Sequence, residues 1–212
     1  FTGGRASDVN VMTIEDPIEY DLGAPNPGQQ ALPISQTQVD VKKGVTFAAG
    51  LRHILRQDPD VIMVGEIRDQ ETARIAIQAA LTGHLVFSTL HTNDAPSSVT
   101  RLLDLGVEPF LVASSLSCVL AQRLVRLTHG ECGGKGCRVC LQSGYRGRRA
   151  IFELLCTSDP VRGLIVRQAD AAAIRVQALA EGMRRLEDEG RSLVERGLTT
   201  ATEVQRVTVG VE

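Results

Sequence analysis

The chain contains no tryptophan, two tyrosines and five phenylalanines. Aromatic packing therefore cannot carry its interior, and any core must be mainly aliphatic. No apolar run approaches the ~20 residues of a helical membrane span. The nearest, Val107 to Leu120, is interrupted by Pro109 and several serines. The formal charge of −2 gives no overall basic field, so sequence-independent nucleic-acid binding is not expected. No stretch ends in the Gly-Lys-Ser/Thr of a phosphate-cradling loop. The five cysteines do not make a disulfide framework, since three of them crowd into one short segment, a pattern closer to metal binding. With no signal-peptide pattern either, the expected compartment is the cytoplasm. What remains is ample for a folded body: 212 residues, 43% hydrophobic and 23% charged, enough to bury a sizeable core.

The richest stretch runs from Asp58 to Asn93. Val61 to Val64 is a continuous apolar run, as a parallel strand covered on both faces requires. Gly65 is expected to let the backbone turn there and present Glu66 at the strand tip, where open α/β sheets bind ligands. A carboxylate in that place can hold Mg²⁺ through water or orient an attacking water. Asp69 is placed to cap a helix whose inward face carries Ala73, Ile77, Ala80 and Leu81, with Gly83 closing it. A second buried strand is expected from Leu85 to Leu90. It separates His84 from His91 by roughly 23 Å if fully extended, so only one of the two histidines can reach a ligand at the strand tips.

Ordered blocks surround this stretch: TIEDPIEY at residues 13–20, LRHILRQDPD, VIMVGE, TGHLVFSTLHT and LAQRLVRL. Together they resemble the ATPases of type II secretion and type IV pilus assembly, in which the first corresponds to an aspartate box, VIMVGE to a Walker B motif and TGHLVFSTLHT to a histidine box. The resemblance covers most of the chain. It implies a RecA-like α/β core of the P-loop NTPase class that is partial here, because the Walker A strand, loop and helix are missing. In the family that loop lies just upstream of the aspartate box. The chain is thus expected to be a C-terminal fragment, poorly active alone, with a naturally degenerate ATPase as the alternative. The resemblance further implies ATP and Mg²⁺ as ligands, with Glu19 as general base or water-positioning residue and Glu15 and Asp16 supporting Mg²⁺. Glu66 and His91 join the catalytic set, His91 as a phosphate sensor. Gly65, Arg52, Arg56, Arg68 and His84 fall within the nucleotide-binding blocks, although an arginine on a helix face is commonly a plain surface group. A homo-hexameric ring, an inner-membrane platform protein and cytoplasmic docking proteins are the implied partners, with no nucleic acid. The location implied is cytoplasmic and peripheral to the inner membrane.

Three segments follow from this reading: residues 1–128 as the ATPase core, 129–149 as a cysteine-rich loop and 150–212 as a C-terminal helical subdomain. Residues 21–33 carry three prolines and two glycines and read as an exposed loop. Val45 to Gln57 reads as a helix with Phe47, Leu51, Ile54 and Leu55 inward. A helix opened by Asn93 or Asp94 is followed by a long one expected to run through Arg126, which places Arg123 and Arg126 on a helix. In the tail, Ala171 to Glu181 reads as a helix, and Thr200 with Glu203 as a capping box. The cluster HGECGGKGCRVC departs from the family, whose members with this appendage carry two Cys-x-x-Cys pairs that bind structural zinc. Cys137 and Cys140 form one such pair, but only Cys132 remains of the other. His129 can complete a Cys₃His set for Zn²⁺. Cys118 and Cys156 read as core residues. A catalytically silent, zinc-stapled assembly module and a pilus retraction ATPase are the competing functional readings.

Overall fold

The computed structural model describes residues 9–24 and 33–208. Residues 1–8 and most of the proline-rich segment 21–33 lie outside them. Val11–Glu15 (β1) and Val61–Val64 (β3) run parallel in the middle of a four-stranded sheet ordered β2-β1-β3-β4, with Ile34–Gln38 (β2) and Leu85–Ser88 (β4) outermost. Val11 pairs with Val61 and Ile14 with Val64, so the ends of the two inner strands are level. Ile14, Ile62 and Val64 are fully buried, as apolar runs in the interior of a parallel sheet should be. β4 differs from expectation. It ends at Ser88 and is largely exposed, with Leu85 at 50% and Phe87 at 45%, because only one of its edges pairs within the described sheet.

Helix Phe47–Ile54 (α1) starts at Thr46, whose hydroxyl accepts from the Ala49 N–H, and it buries Leu51 and Ile54 as anticipated. Helix Gln70–Leu81 (α2) is capped by Asp69, which accepts from the Thr72 N–H at 2.8 Å. Its buried stripe is Ala73, Ala76, Ile77 and Ala79. Leu81 faces outward, so the expected stripe was rotated at its C-terminal end. Among the described residues, these elements belong to one compact unit, those up to 91 with 102–115, and the other unit comprises 92–101 with those from 116 onward.

The second unit contains the main departure from the sequence reading. Helix Pro109–Ser115 (α4), which still belongs to the first unit, stops early, and in the second unit residues Cys118–Thr128 form a strand (β5) antiparallel to Tyr145–Cys156 (β6). Arg123 and Arg126 therefore point to opposite faces. The segment has apolar residues at both helical and alternating spacing. Pairing with β6 decides between them, burying Val125, Ile151 and Leu155 and leaving Leu120, Leu124, Phe152 and Leu154 exposed. Cys118 and Cys156 lie on the exposed side and are not core residues. Helix Ala95–Asp104 (α3) begins where Asp94 caps the Ser97 N–H and the buried Glu153 of β6 accepts from the Ala95 N–H at 2.9 Å. Residues 150–156 thus continue a strand before the tail turns helical.

The tail forms helices Asp159–Val166 (α5), Ala171–Ala180 (α6), Leu186–Glu195 (α7) and Ala201–Thr208 (α8). Leu186, Leu193 and Val204 pack with Val125 and Ile151 of the ribbon. Thr200 caps the Glu203 N–H as expected, while the Glu203 carboxylate turns to Arg126 and Arg206. It accepts from the Arg126 backbone N–H at 3.0 Å, the Arg126 guanidinium at 2.6 Å and the Arg206 guanidinium at 2.7 Å. Arg126 also lies over the Tyr145 ring.

Bonds from Arg206, and against the cost of burial those from Arg126, hold this carboxyl well below the usual range. Glu203→Gln is expected to lower unfolding free energy at pH 7 by about 2 kcal/mol. A carboxyl depressed in the fold contributes stability above its unfolded pKa of about 4.3 and loses it as pH falls toward the folded value. Urea titrations should therefore show the gap between wild type and variant shrinking below about pH 4. A gap independent of pH would show that the charge itself contributes nothing.

Candidate functional site

At the carboxyl ends of β1, β3 and β4 the chain forms an open cleft of about 410 Å³. Glu15, Asp16 and Glu19 line one part of it, Gly65, Glu66 and Arg68 another, and Thr89 and His91 a third. The arrangement follows from the level strand ends, because each strand delivers its next residues into the same space. Gly65 serves here for a reason other than the expected turn. A Cβ at this position would lie 3.2 Å from the Ile14 carbonyl oxygen and 3.3 Å from the Glu15 Cα, so the missing side chain lets β3 pass close to β1.

Glu66 is the centre of the cleft. Its Oε2 accepts from Arg68 Nε at 2.6 Å and lies 2.8 Å from His91 Nε2, while 10% of its side chain is exposed. The Arg68 hydrogen bond, opposed by burial and helped by His91, holds its carboxyl below the ordinary value, so it is an anion at neutral pH. The two loops that carry these groups are clasped together. The Thr89 hydroxyl donates to the Gly65 carbonyl at 2.6 Å, and the Ile67 N–H to the Thr89 carbonyl at 3.1 Å.

Glu15 is buried and accepts from the Thr13 hydroxyl at 2.5 Å and from Gln36 Nε2 at 2.9 Å. Gln36 also donates to the Tyr20 carbonyl and accepts from the Leu22 N–H, which ties both ends of the acidic turn to β2. Asp16 and Glu19 are exposed at the cleft. Thr13, Gln36 and Thr89 were not singled out in the sequence. Only the alternation of polar residues in ISQTQ hints that Gln36 turns toward a polar neighbour.

The remaining candidates fall elsewhere. His84 sits at the opposite end of β4, its Nδ1 within 2.9 Å of the Ala79 carbonyl and 3.2 Å of the Thr82 hydroxyl, where it closes α2. Arg52 pairs with Glu71 at 2.6 Å with both side chains more than half exposed, the setting in which ion pairs contribute little. Arg56 is exposed. Neither arginine lines the cleft.

In the second unit, the ligand atoms of His129, Cys132, Cys137 and Cys140 all lie within 4.8 Å of one another. Cys140 Sγ is 3.9 Å from Cys132 Sγ and 3.7 Å from Cys137 Sγ, and His129 Nδ1 is 3.4 Å from both Cys132 and Cys137. A tetrahedral zinc with bonds of about 2.3 Å to sulfur and 2.0 Å to nitrogen requires edges of roughly 3.8 and 3.5 Å, so the donors fit that ion. His129 Nε2 faces the Glu131 carboxylate at 3.7 Å, as outer partners of zinc-bound histidines do. Burial opposes the Cys140 thiolate, yet bonds from the Cys137 and Gly144 backbone N–H groups bring its pKa down to about 6. The loop closes this tightly because Gly144 adopts φ +74°, where a Cβ would lie 2.3 Å from the Gly134 carbonyl.

A parallel sheet with acidic groups gathered at its strand tips defines the RecA-like α/β class. The Type II/IV secretion system protein family model matches residues 5–206, and the chain belongs to that family. It is 53% identical over 211 residues to the type II secretion system protein HxcR of Pseudomonas aeruginosa, covering 96% of this chain and 43% of that protein. To the type II secretion system ATPase E of Vibrio cholerae it is 46% identical over 96% of the chain and 44% of the relative. To the type IV pilus assembly ATPase PilB of Thermus thermophilus the figures are 45%, 95% and 25%. The chain thus spans less than half the length of these relatives. Among solved structures, the pilus retraction motor PilT with bound ADP superposes with a TM-score of 0.72 at 30% identity, over 97% of this chain and 55% of that one. The Legionella pneumophila ATPase DotB gives 0.70 at 25%, over 96% and 52%.

Proposed function

We propose that this chain is the C-terminal part of an ATPase motor that powers type II secretion or type IV pilus assembly as a homo-hexameric ring. The observation that carries the reading is Glu66, an anion held between Arg68 and His91 and sharing one cleft with Glu15, Asp16 and Glu19. When bound, Mg²⁺ would supply positive charge against the nucleotide phosphates. Glu15 and Asp16 are the groups to hold that ion and its waters, Glu66 and Glu19 those to position and deprotonate the attacking water. The phosphate-cradling loop is assigned to a segment of the longer protein. Its strand would lie along the outer flank of β4, where Leu85 is exposed. Arg52 and Arg56, which do not line the cleft, suit a neighbouring subunit's nucleotide better than their own. The remaining partners are an inner-membrane platform protein and cytoplasmic docking proteins, which would keep the motor in the cytoplasm at the inner membrane. His129 and the three clustered cysteines would hold structural Zn²⁺.

Steady-state Mg-ATP hydrolysis by the full-length protein tests the reading. His91→Ala is expected to reduce turnover by about 10² or more, whereas His84→Ala, which only loosens the end of α2, should cost less than about tenfold. Equal losses would remove His91 from the site. A full-length protein with no hydrolysis at all would favour the zinc-stapled assembly module, whose role is contact alone.

A further inference from the structure

All five cysteines of the chain lie on β5, β6 and the loop between them. Three belong to the metal cluster at one end of this ribbon. The other two, Cys118 and Cys156, face each other at the opposite end, the first residue of β5 in register with the last of β6. The type of pairing is fixed by the next bond outward. The Thr157 N–H donates to the Ser117 carbonyl at 2.9 Å, so Cys118 and Cys156 exchange no backbone hydrogen bonds with each other. At such pairs the opposed Cα atoms are about 4.5 Å apart and the side chains lean together on one face, inside the window of about 4.4–6.8 Å that a disulfide requires. Both thiols are free and exposed, so neither is explained by packing.

We propose that Cys118 and Cys156 form a dithiol site that closes reversibly to a cross-strand disulfide by exchange with a low-molecular-weight disulfide of the glutathione class. In the first step one cysteine, as thiolate, attacks a sulfur of the oxidant. The oxidant's S–S bond breaks, one glutathione thiolate leaves, and a mixed disulfide remains on the chain. The second cysteine, deprotonated in turn, attacks the protein sulfur of that mixed disulfide and expels the other glutathione. Two protein thiols become one disulfide, the oxidant is reduced to two thiols, and the two protons lost by the cysteines end on them. Sulfur chemistry then clamps the ribbon at both ends in opposite senses, since oxidation makes the bond at one end and attacks the thiolate cluster at the other.

The test is to incubate the zinc-loaded full-length protein with excess oxidised glutathione, quench with alkylating reagent and map the peptides by mass spectrometry. Wild type should yield the Cys118 peptide linked to the Cys156 peptide, with dithiothreitol restoring both thiols. Cys118→Ser and Cys156→Ser should each retain a glutathione adduct on the remaining cysteine at a level at least tenfold above wild type. Wild-type protein that keeps glutathione on either residue to the same extent as the single variants, or whose two thiols stay fully alkylatable, would overturn the proposal. The linked peptide is read from wild type alone, so the proposal does not depend on the variants folding.

Discussion

Replacing Glu66 by glutamine in the full-length protein is expected to lower steady-state ATP hydrolysis by at least about 100-fold while leaving nucleotide binding nearly intact. The substitution keeps the shape of the side chain and removes its charge. Arg68 can still donate to the amide oxygen, so the loop after β3 should hold its place. What disappears is the anion to which the proposed function assigns the orienting and deprotonation of water. The depressed carboxyl pKa adds a second expectation: Glu66 stays ionised as pH falls toward its folded value, so this group should impose no loss of activity between pH 8 and 6. Turnover near the wild-type rate, with nucleotide affinity unchanged, would take Glu66 out of the chemistry and return it to a purely structural ion pair.

The second large effect concerns the cysteine cluster. Cys137→Ser is expected to weaken zinc binding by at least about 100-fold, more than outer partners alone contribute. Elemental analysis should find about one zinc per chain in wild type and far less in the variant. The segment from 129 to 144 is glycine-rich, and most of its residues are exposed, so it has little apolar surface with which to fold without the ion. Hydrogen exchange should therefore accelerate there and remain unchanged in β1 and β3, whose interior is aliphatic. A metal-free wild-type protein with a protected loop would mean that hydrogen bonds alone hold these side chains together.

The parts of the fold that were legible in the sequence are those in which one force dominates. VIMV reads as an inner strand, and Asp69 marks a helix start through its own hydrogen bond, whereas the Thr46 cap, inside the helix expected from Val45, appears only in the structure. Glu66 and His91 could be brought together on paper because strand and helix lengths fix which ends meet. Where two periodicities compete, the sequence is silent. VLAQRLVRL satisfies a helix as well as a strand, and the partner that decides, β6, lies beyond a loop whose folding no local rule anticipates. The same ambiguity misplaced Cys118 and Cys156, since a change of period moves side chains from one face to another. Gln36 and Thr13 escape notice for another reason: their value lies in what they donate to, Thr13 reaching Glu15 two residues along the same strand and Gln36 reaching it only through the register of β2 on β1.

The exposed flank of β4 has a practical consequence for anyone handling these residues by themselves. Its Leu85 and Phe87 face solvent on an outermost strand of the described sheet, the combination that recruits the edges of other molecules. Apparent solubility should fall with concentration. A lysine at position 85 should delay that clumping, read as a higher concentration at the onset of light scattering.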